Sequence, residues 1–256
     1  MKSGSFTSVS GWPAAALLSL ILTACDSDNV AVVGSGEDSD AMDEFLAAPA
    51  QPADSGAHRE SDPHVNLSAE KLAQVALQYP DEAREQLALE TLNAAVGKHP
   101  DNAMLLSLRA SLFLQNQQPS LALADLNRAV DLDPRDPILL TNRAQALRQF
   151  ERNDDAKRDL DHAIELDQKF VAAYFNRGSL HFEEEKYDLA LLDFNRCVEL
   201  DPMAAAGYFN RASTFEALGE RERAIDDLQQ FLSLAPEENW AQVARDLLKQ
   251  WDPDLS

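Results

Sequence analysis

An all-α solenoid built from a 34-residue helix-turn-helix unit is the fold class this sequence predicts, and three observations predict it. Proline recurs at Pro100, Pro134, Pro202 and Pro236, in steps of 34 residues with Gln168 filling the one gap. Small residues keep the same step at Ala88, Ala122, Ala156, Ala190 and Ala224, and again at Ala76, Ala110, Ala144, Gly178 and Ala212. Large residues do so at Leu72, Leu106, Leu140, Tyr174 and Tyr208, and at Leu92, Leu126, Leu160, Phe194 and Leu228. Each unit accommodates two amphipathic helices of about 14 residues, with small residues where backbones approach and a proline that ends the unit. One unit cannot bury its apolar face alone, but stacked units share a continuous core.

Composition agrees. Of 256 residues, 45% are hydrophobic and 26% charged, enough apolar material for a packed core. Acids outnumber bases 44 to 22, a net charge of −22 with a pI near 4.4. Binding driven by phosphate neutralisation has no overall charge behind it, so nucleic acid and anionic lipid headgroups are poor partners. Two cysteines far apart, Cys25 and Cys197, exclude a disulfide framework.

The elements follow in order. Residues 1–24 carry one basic residue, Lys2, then an apolar run from Pro13 to Leu22 that is too short to span a bilayer. The quartet Leu22, Thr23, Ala24, Cys25 at its end resembles the lipobox of bacterial lipoproteins. That resemblance implies a cleaved signal peptide over 1–24 and acylation of Cys25, hence a protein that sits on a membrane without crossing it. Asp26 implies, by likeness to enterobacterial lipoproteins, retention at the inner membrane.

After Cys25 the stretch to residue 66 holds ten acids against one base, Arg59, amid Gly, Ser, Ala and Pro. Such a segment cannot bury enough apolar surface to order itself, and it reads as an acidic disordered tether with a span of roughly 35 Å or more. His58 and His64 lie there without partners at ligand spacing, so no metal site is expected.

Five units follow: a degenerate one over 69–102, in which Pro80 cuts short the first helix, then 103–136, 137–170, 171–204 and 205–238. Trp240, Val243, Leu247, Leu248 and Trp251 mark a capping helix over 239–251, and Asp252, Pro253 and Asp254 stop it. These columns resemble the tetratricopeptide repeat (TPR) family over about 69–236. The resemblance implies a right-handed superhelical solenoid whose first helices line a concave surface. A further small-residue column, Ala95, Ala129, Ala163, Cys197 and Phe231, makes Cys197 a structural thiol between helices.

Two polar columns depart from the apolar pattern. Arg109, Arg143, Arg177, Arg211 and Arg245 recur on the first helices, and Asp125, Asp159, Asp193 and Asp227 on the second. Spacings of 16 and 18 place each aspartate between an arginine of its own unit and one of the next. The degenerate unit has Val75 and Thr91 instead, so both partners are missing together. These residues are expected to form a structural ladder of charge-assisted hydrogen bonds.

Beside the arginines runs a column of Asn142, Asn176 and Asn210, preceded by Gln74 and Leu108. By likeness to related repeat proteins, such a ladder holds the backbone of an extended peptide, because a side-chain amide offers one donor group and one acceptor as a peptide group does. Phe175, Phe209, Ser179, Ser213, Phe182 and Glu216 are expected to shape side-chain pockets beside it. The carboxylate clamp of chaperone-binding repeats needs lysines where this chain has Ser107, Thr141, Phe175 and Phe209, so that mode is disfavoured.

No glycine-rich phosphate loop, nucleophile elbow or metal-spaced histidine pair occurs, and His58, His64, His99, His162 and His181 are scattered. The chain therefore reads as a non-enzymatic adaptor without cofactor or metal. It would be lipid-anchored at the bacterial cell envelope with its folded part outside the cytoplasm, binding a protein or peptide partner. A structural assembly factor for a pilus or secretion complex is the alternative.

Overall fold

The computed structural model describes residues 82–235 and 239–252. The lipobox with Cys25, the acidic tether and residues 69–81, with Gln74, Val75 and Pro80, lie outside the described residues. Within them are ten helices and no strand: α1 Glu82–Lys98, α2 Ala103–Gln115, α3 Pro119–Leu132, α4 Pro137–Arg148, α5 Asn153–Leu166, α6 Val171–Glu183, α7 Tyr187–Leu200, α8 Ala205–Ala217, α9 Arg221–Leu234 and α10 Asn239–Trp251.

Both kinds of turn repeat. Between the two helices of a unit the chain adopts positive φ at Gln117, Glu151, Glu185 and Gly219, at 55°, 56°, 58° and 79°. The amide one place beyond that residue then donates five residues back, from Gln118 to Phe113 at 2.7 Å, and likewise from Arg152 to Leu147, Lys186 to His181 and Glu220 to Phe215. This is the Schellman arrangement that satisfies orphan carbonyls at a helix end. Between units, the carboxylates of Asp133, Asp167 and Asp201 each accept from the backbone amide two residues on, at 3.2, 2.8 and 2.9 Å, fixing the bend around the proline column. Asn102 and Asp136 cap the next first helices, accepting from Leu105 and Ile138.

Each first helix packs on the second helix of its own unit and of the preceding one, and successive first helices α2, α4, α6 and α8 also touch one another. Such contact puts the first helices on the tighter, inner side of the stack. Leu92, Leu105, Leu106, Leu126, Leu160, Leu180 and Leu228 are buried in the resulting core. Cys197 is fully buried beside the Val171 carbonyl, and burial pushes its thiol far above the usual range, as a structural role requires. At the end of the stack α10 buries Ala241, Ala244 and Leu248, while Trp240 leans on Phe209 with ring centroids 5.7 Å apart.

The arginine and aspartate columns meet as two-pronged forks within each unit. Nε and Nη2 of Arg109, Arg143 and Arg211 each donate at 2.7 Å to the two carboxylate oxygens of Asp125, Asp159 and Asp227. Arg177 grips Asp193 at 3.0 and 2.7 Å. The spacing of 18 suggested a second bond from the arginine of the next unit to the same aspartate, and Arg143, Arg177 and Arg211 do not make it to Asp125, Asp159 and Asp193. Instead Nη1 donates to a residue one half-turn further along the preceding second helix: Asn93 for Arg109 at 3.1 Å, Asp161 for Arg177 at 2.7 Å and Asn195 for Arg211 at 3.0 Å. Guanidinium planes also lie over Tyr174 and Tyr208, at 5.7 and 5.5 Å.

One unit solves its packing differently. Where its neighbours pair alanine with leucine, the fourth pairs Gly178 with Phe194, and a Cβ at Gly178 would stand 2.9 Å from the Phe194 ring. Phe194 is 1% exposed and meets Phe175 edge-on at 5.9 Å. In the same unit His181 is buried, with Nε2 4.0 Å from Asp193 and Nδ1 without a partner.

This packing sets the response to three substitutions. Asp193→Ala leaves the Arg177 guanidinium, a fifth of which is exposed, with Asp161 as its remaining carboxylate, and should cost about 3 kcal/mol, the lower end for a buried pair; a chemical-denaturation cycle with Arg177→Ala in which the two losses simply add would remove the ladder's energetic role. Gly178→Ala should destabilise by about 1 kcal/mol, as overpacking of about 1–3 kcal/mol outweighs a helix-propensity gain near 1 kcal/mol. Adding Phe194→Leu should restore stability, and the absence of rescue would show that the two residues are not size-matched. Burial pushes the His181 imidazole below its usual range, against the opposing Asp193 carboxylate, with Arg177, Lys157 and Glu184 also acting on it. The unfolded chain then binds that proton more readily, so the contribution is complete above the ordinary histidine pKa of about 6.5 and is lost as pH falls below it. The urea midpoint should fall between pH 7.5 and 5.5 by less in His181→Phe than in the wild-type chain, and equal falls would contradict the assignment.

Candidate partner-binding face

The inner side is made by α2, α4, α6 and α8, and its polar residues come from single positions repeated along the stack. Asn142 donates from Nδ2 to Ser107 Oγ of the preceding unit at 3.0 Å. Asn176 donates to the Ala172 carbonyl of its own helix at 2.8 Å, leaving Oδ1 buried without a partner. Asn210 has neither Nδ2 nor Oδ1 satisfied. Asn176 and Asn210 are only 3% and 2% exposed, so their amides stand in the wall of the groove rather than open to it.

Several residues expected as pocket walls are placed elsewhere. Phe175 and Phe209 are core residues, each 4% exposed, Phe175 against Phe194 and Phe209 against Phe231 at 5.2 Å. The curve of the stack turns this position inward between neighbouring helices. Ser179 is fully buried and donates to the Phe175 carbonyl, and Ser213 to that of Phe209, so both hydroxyls are spent on their own helices. Phe182 packs edge-on against Tyr187 at 5.3 Å, and Glu216 accepts from Arg221 at 2.8 and 3.2 Å.

The structure adds residues that sequence reasoning missed. Arg148 on α4 donates from Nη2 to Glu183 Oε1 on α6, joining two first helices directly, with Arg148 Nε buried and unpartnered. Thr141 Oγ1 is likewise buried without a partner. Every buried, unpartnered side-chain atom among the described residues belongs to a first helix: Thr141 and Arg148 on α4, Asn176 and His181 on α6, Asn210 on α8. The described second helices contribute none. Also missed was the column Asn93, Asn127, Asp161 and Asn195, three of which, all but Asn127, supply the second acceptor of the ladder; its 34-residue recurrence is the signal that could have found it. Among the described residues no cluster of three or more metal-ligating side chains occurs, and no helix is long and apolar enough to cross a membrane.

Comparison with known proteins places this geometry. Two tetratricopeptide-repeat family models match, one over 84–137 and 141–205, the other over 177–249. A comparison with curated protein sequences gives no match. Among solved structures, the TPR protein TTC0263 from Thermus thermophilus is 15% identical with a TM-score of 0.62, covering 72% of this chain and 98% of that one. A tetratricopeptide repeat protein from Parabacteroides merdae is 24% identical with a TM-score of 0.60, covering 71% of each chain. YrrB, described as a TPR protein with an unusual peptide-binding site, is 21% identical with a TM-score of 0.52, covering 73% of this chain and 92% of that one. The repeating helix pairs, their shared core and these matches together make the chain a tetratricopeptide-repeat protein with an all-α solenoid fold.

Proposed function

We propose that this solenoid is a non-catalytic adaptor that holds an extended segment of a partner protein along its first-helix face, lipid-anchored through Cys25 at the bacterial cell envelope. The concentration of buried, unpartnered polar atoms on α4, α6 and α8 carries the reading. A buried donor or acceptor without a partner costs about 1–3 kcal/mol, and a peptide backbone presents the complementary groups. Asn142, Asn176 and Asn210 form the binding column, and their amides turn out of the wall to meet the ligand. Phe175, Phe209, Ser179 and Ser213 serve as the packed support behind it. The likeness in fold to YrrB is consistent with peptide capture. Anchoring rests on the lipobox resemblance, with Asp26 favouring the inner membrane.

A crosslinked pull-down from native envelope tests the adaptor. The triple variant Asn142→Ala, Asn176→Ala, Asn210→Ala should lose the partner captured by the wild-type chain, with affinity falling at least about tenfold. Helicity should hold, because the triple variant removes only the side-chain bonds of Asn142 to Ser107 and of Asn176 to Ala172, and the single change Asn210→Ala, which breaks none, should leave the thermal midpoint unchanged or raised. Capture of the same partner at the same yield by a folded triple variant would remove the groove from the function. Cys25→Ser should release the protein from the membrane fraction, and continued membrane association would reject the anchor.

A further inference from the structure

Among the rungs on α2, α4, α6 and α8, one is open. Arg109, Arg177 and Arg211 each spend Nη1 on an oxygen of the preceding second helix, at Asn93, Asp161 and Asn195. Arg143 holds Asp159 with Nε and Nη2 as the others hold their aspartates. Yet Asn127, which occupies the acceptor column before it, is exposed and makes no hydrogen bond with it among the described residues. Between the two side chains lies a half-open cavity of about 220 Å³, walled by Asn127, Arg143, Arg152 and Arg158 together with Asp155 and Asp159.

Charge in this cavity runs against the rest of the chain. Three guanidinium groups meet two carboxylates in a protein whose net charge is −22. Arg152 and Arg158 share the single carboxylate of Asp155, Arg152 donating from Nε at 2.7 Å, which leaves further N–H groups on both. Asp131 also acts on Arg143 from nearby.

The neighbouring rung indicates what fits. One unit along, the place of Asn127 is taken by Asp161, whose carboxylate accepts Arg177 Nη1 at 2.7 Å and Lys157 Nζ at 2.8 Å. The geometry thus accepts a carboxylate oxygen at this point as well as the amide oxygens of Asn93 and Asn195, and here the adjoining Arg152 and Arg158 favour the charged group. Charge alone does not separate a carboxylate from a dianion such as phosphate, because repulsion from Asp155, Asp159 and Asp131 and attraction to the three guanidinium groups both scale with ligand charge; the carboxylate of Asp161 in the neighbouring rung is what favours the acidic side chain. The cavity is smaller than the ~300–1,000 Å³ of drug-sized sites, which suits one side chain. Leu147 in its wall can cover the methylene groups of that side chain.

We propose that this cavity receives an acidic side chain of a partner protein, whose carboxylate completes the open rung on Arg143 Nη1 between Arg152 and Arg158. The site lies at α3, α4 and α5, apart from the asparagine column, and does not depend on it.

Titration of the full chain with aspartate blocked at both ends, against blocked asparagine and against phosphate at constant ionic strength, tests the assignment. The side-chain amide resonance of Asn127, identified by its loss in Asn127→Asp, should move with blocked aspartate and stay still with blocked asparagine. Blocked aspartate should also raise the thermal midpoint of the wild-type chain. Asn127→Asp, an exposed change that supplies the missing carboxylate from within, should raise the midpoint by itself and weaken blocked-aspartate binding at least tenfold. Arg158→Gln, which leaves the ladder intact, should weaken it several-fold. An equal response to blocked asparagine, tighter binding of phosphate, or undiminished blocked-aspartate binding by Asn127→Asp would each overturn the proposal.

Discussion

The fork between each first-helix arginine and the aspartate sixteen residues later sets how the two helices of a unit stand to one another. Two parallel N–H to oxygen bonds fix distance and angle together, which a single apolar contact does not. The remaining nitrogen then reaches back to the previous unit, so one guanidinium serves both as a brace within a unit and as a tie between units. Aromatic rings beneath Arg177 and Arg211 limit the planes these groups adopt. The spacing of the inner face, and hence the position of its asparagines, depends on that brace.

Within the brace, apolar packing has room to vary. Ala110 and Leu126, Ala144 and Leu160, and Ala212 and Leu228 fill the same space as Gly178 and Phe194, with volume moved from one helix to its partner. Phe194 then meets Phe175 edge-on at 5.9 Å. With this size exchange the fork of Arg177 and Asp193 is still made in the unit whose residues depart most from their columns.

Much of this was legible in the sequence because a repeat prints the same physical demand several times. Five copies of a small-residue column announce close helix packing, and paired arginine and aspartate columns announce contact. The choice between spacings of 16 and 18 was not legible, since both lie near one another in a stacked pair of helices and only the rise along the helix separates them. The positive-φ turn position was hidden because Gln117, Glu151 and Glu185 occupy it, and glycine appears only at Gly219. Phe175 and Phe209 could not be assigned to core or groove from spacing, because the curvature of the stack decides which of two adjacent positions turns inward.

Satisfied and unsatisfied polar groups divide the molecule into two sides. The second-helix side spends its carboxylates and amides on arginines, with Arg143 as the open place, whereas the unpaired buried atoms gather on first helices. Several such atoms at about 1–3 kcal/mol each would consume much of the roughly 5–15 kcal/mol that keeps a domain folded. A solenoid can carry that deficit because its stability is summed over units and their interfaces, so the apolar core buried in each unit offsets the unpaired groups beside it. The deficit is also uneven. The unit of α2 and α3 has Ser107 and Leu108 where later units place buried amides or an unpaired hydroxyl, and Ser107 is already bonded to Asn142. Unspent hydrogen-bonding capacity therefore lies on α4, α6 and α8, and an extended ligand that follows these unpaired groups would run along those three helices and stop short of α2.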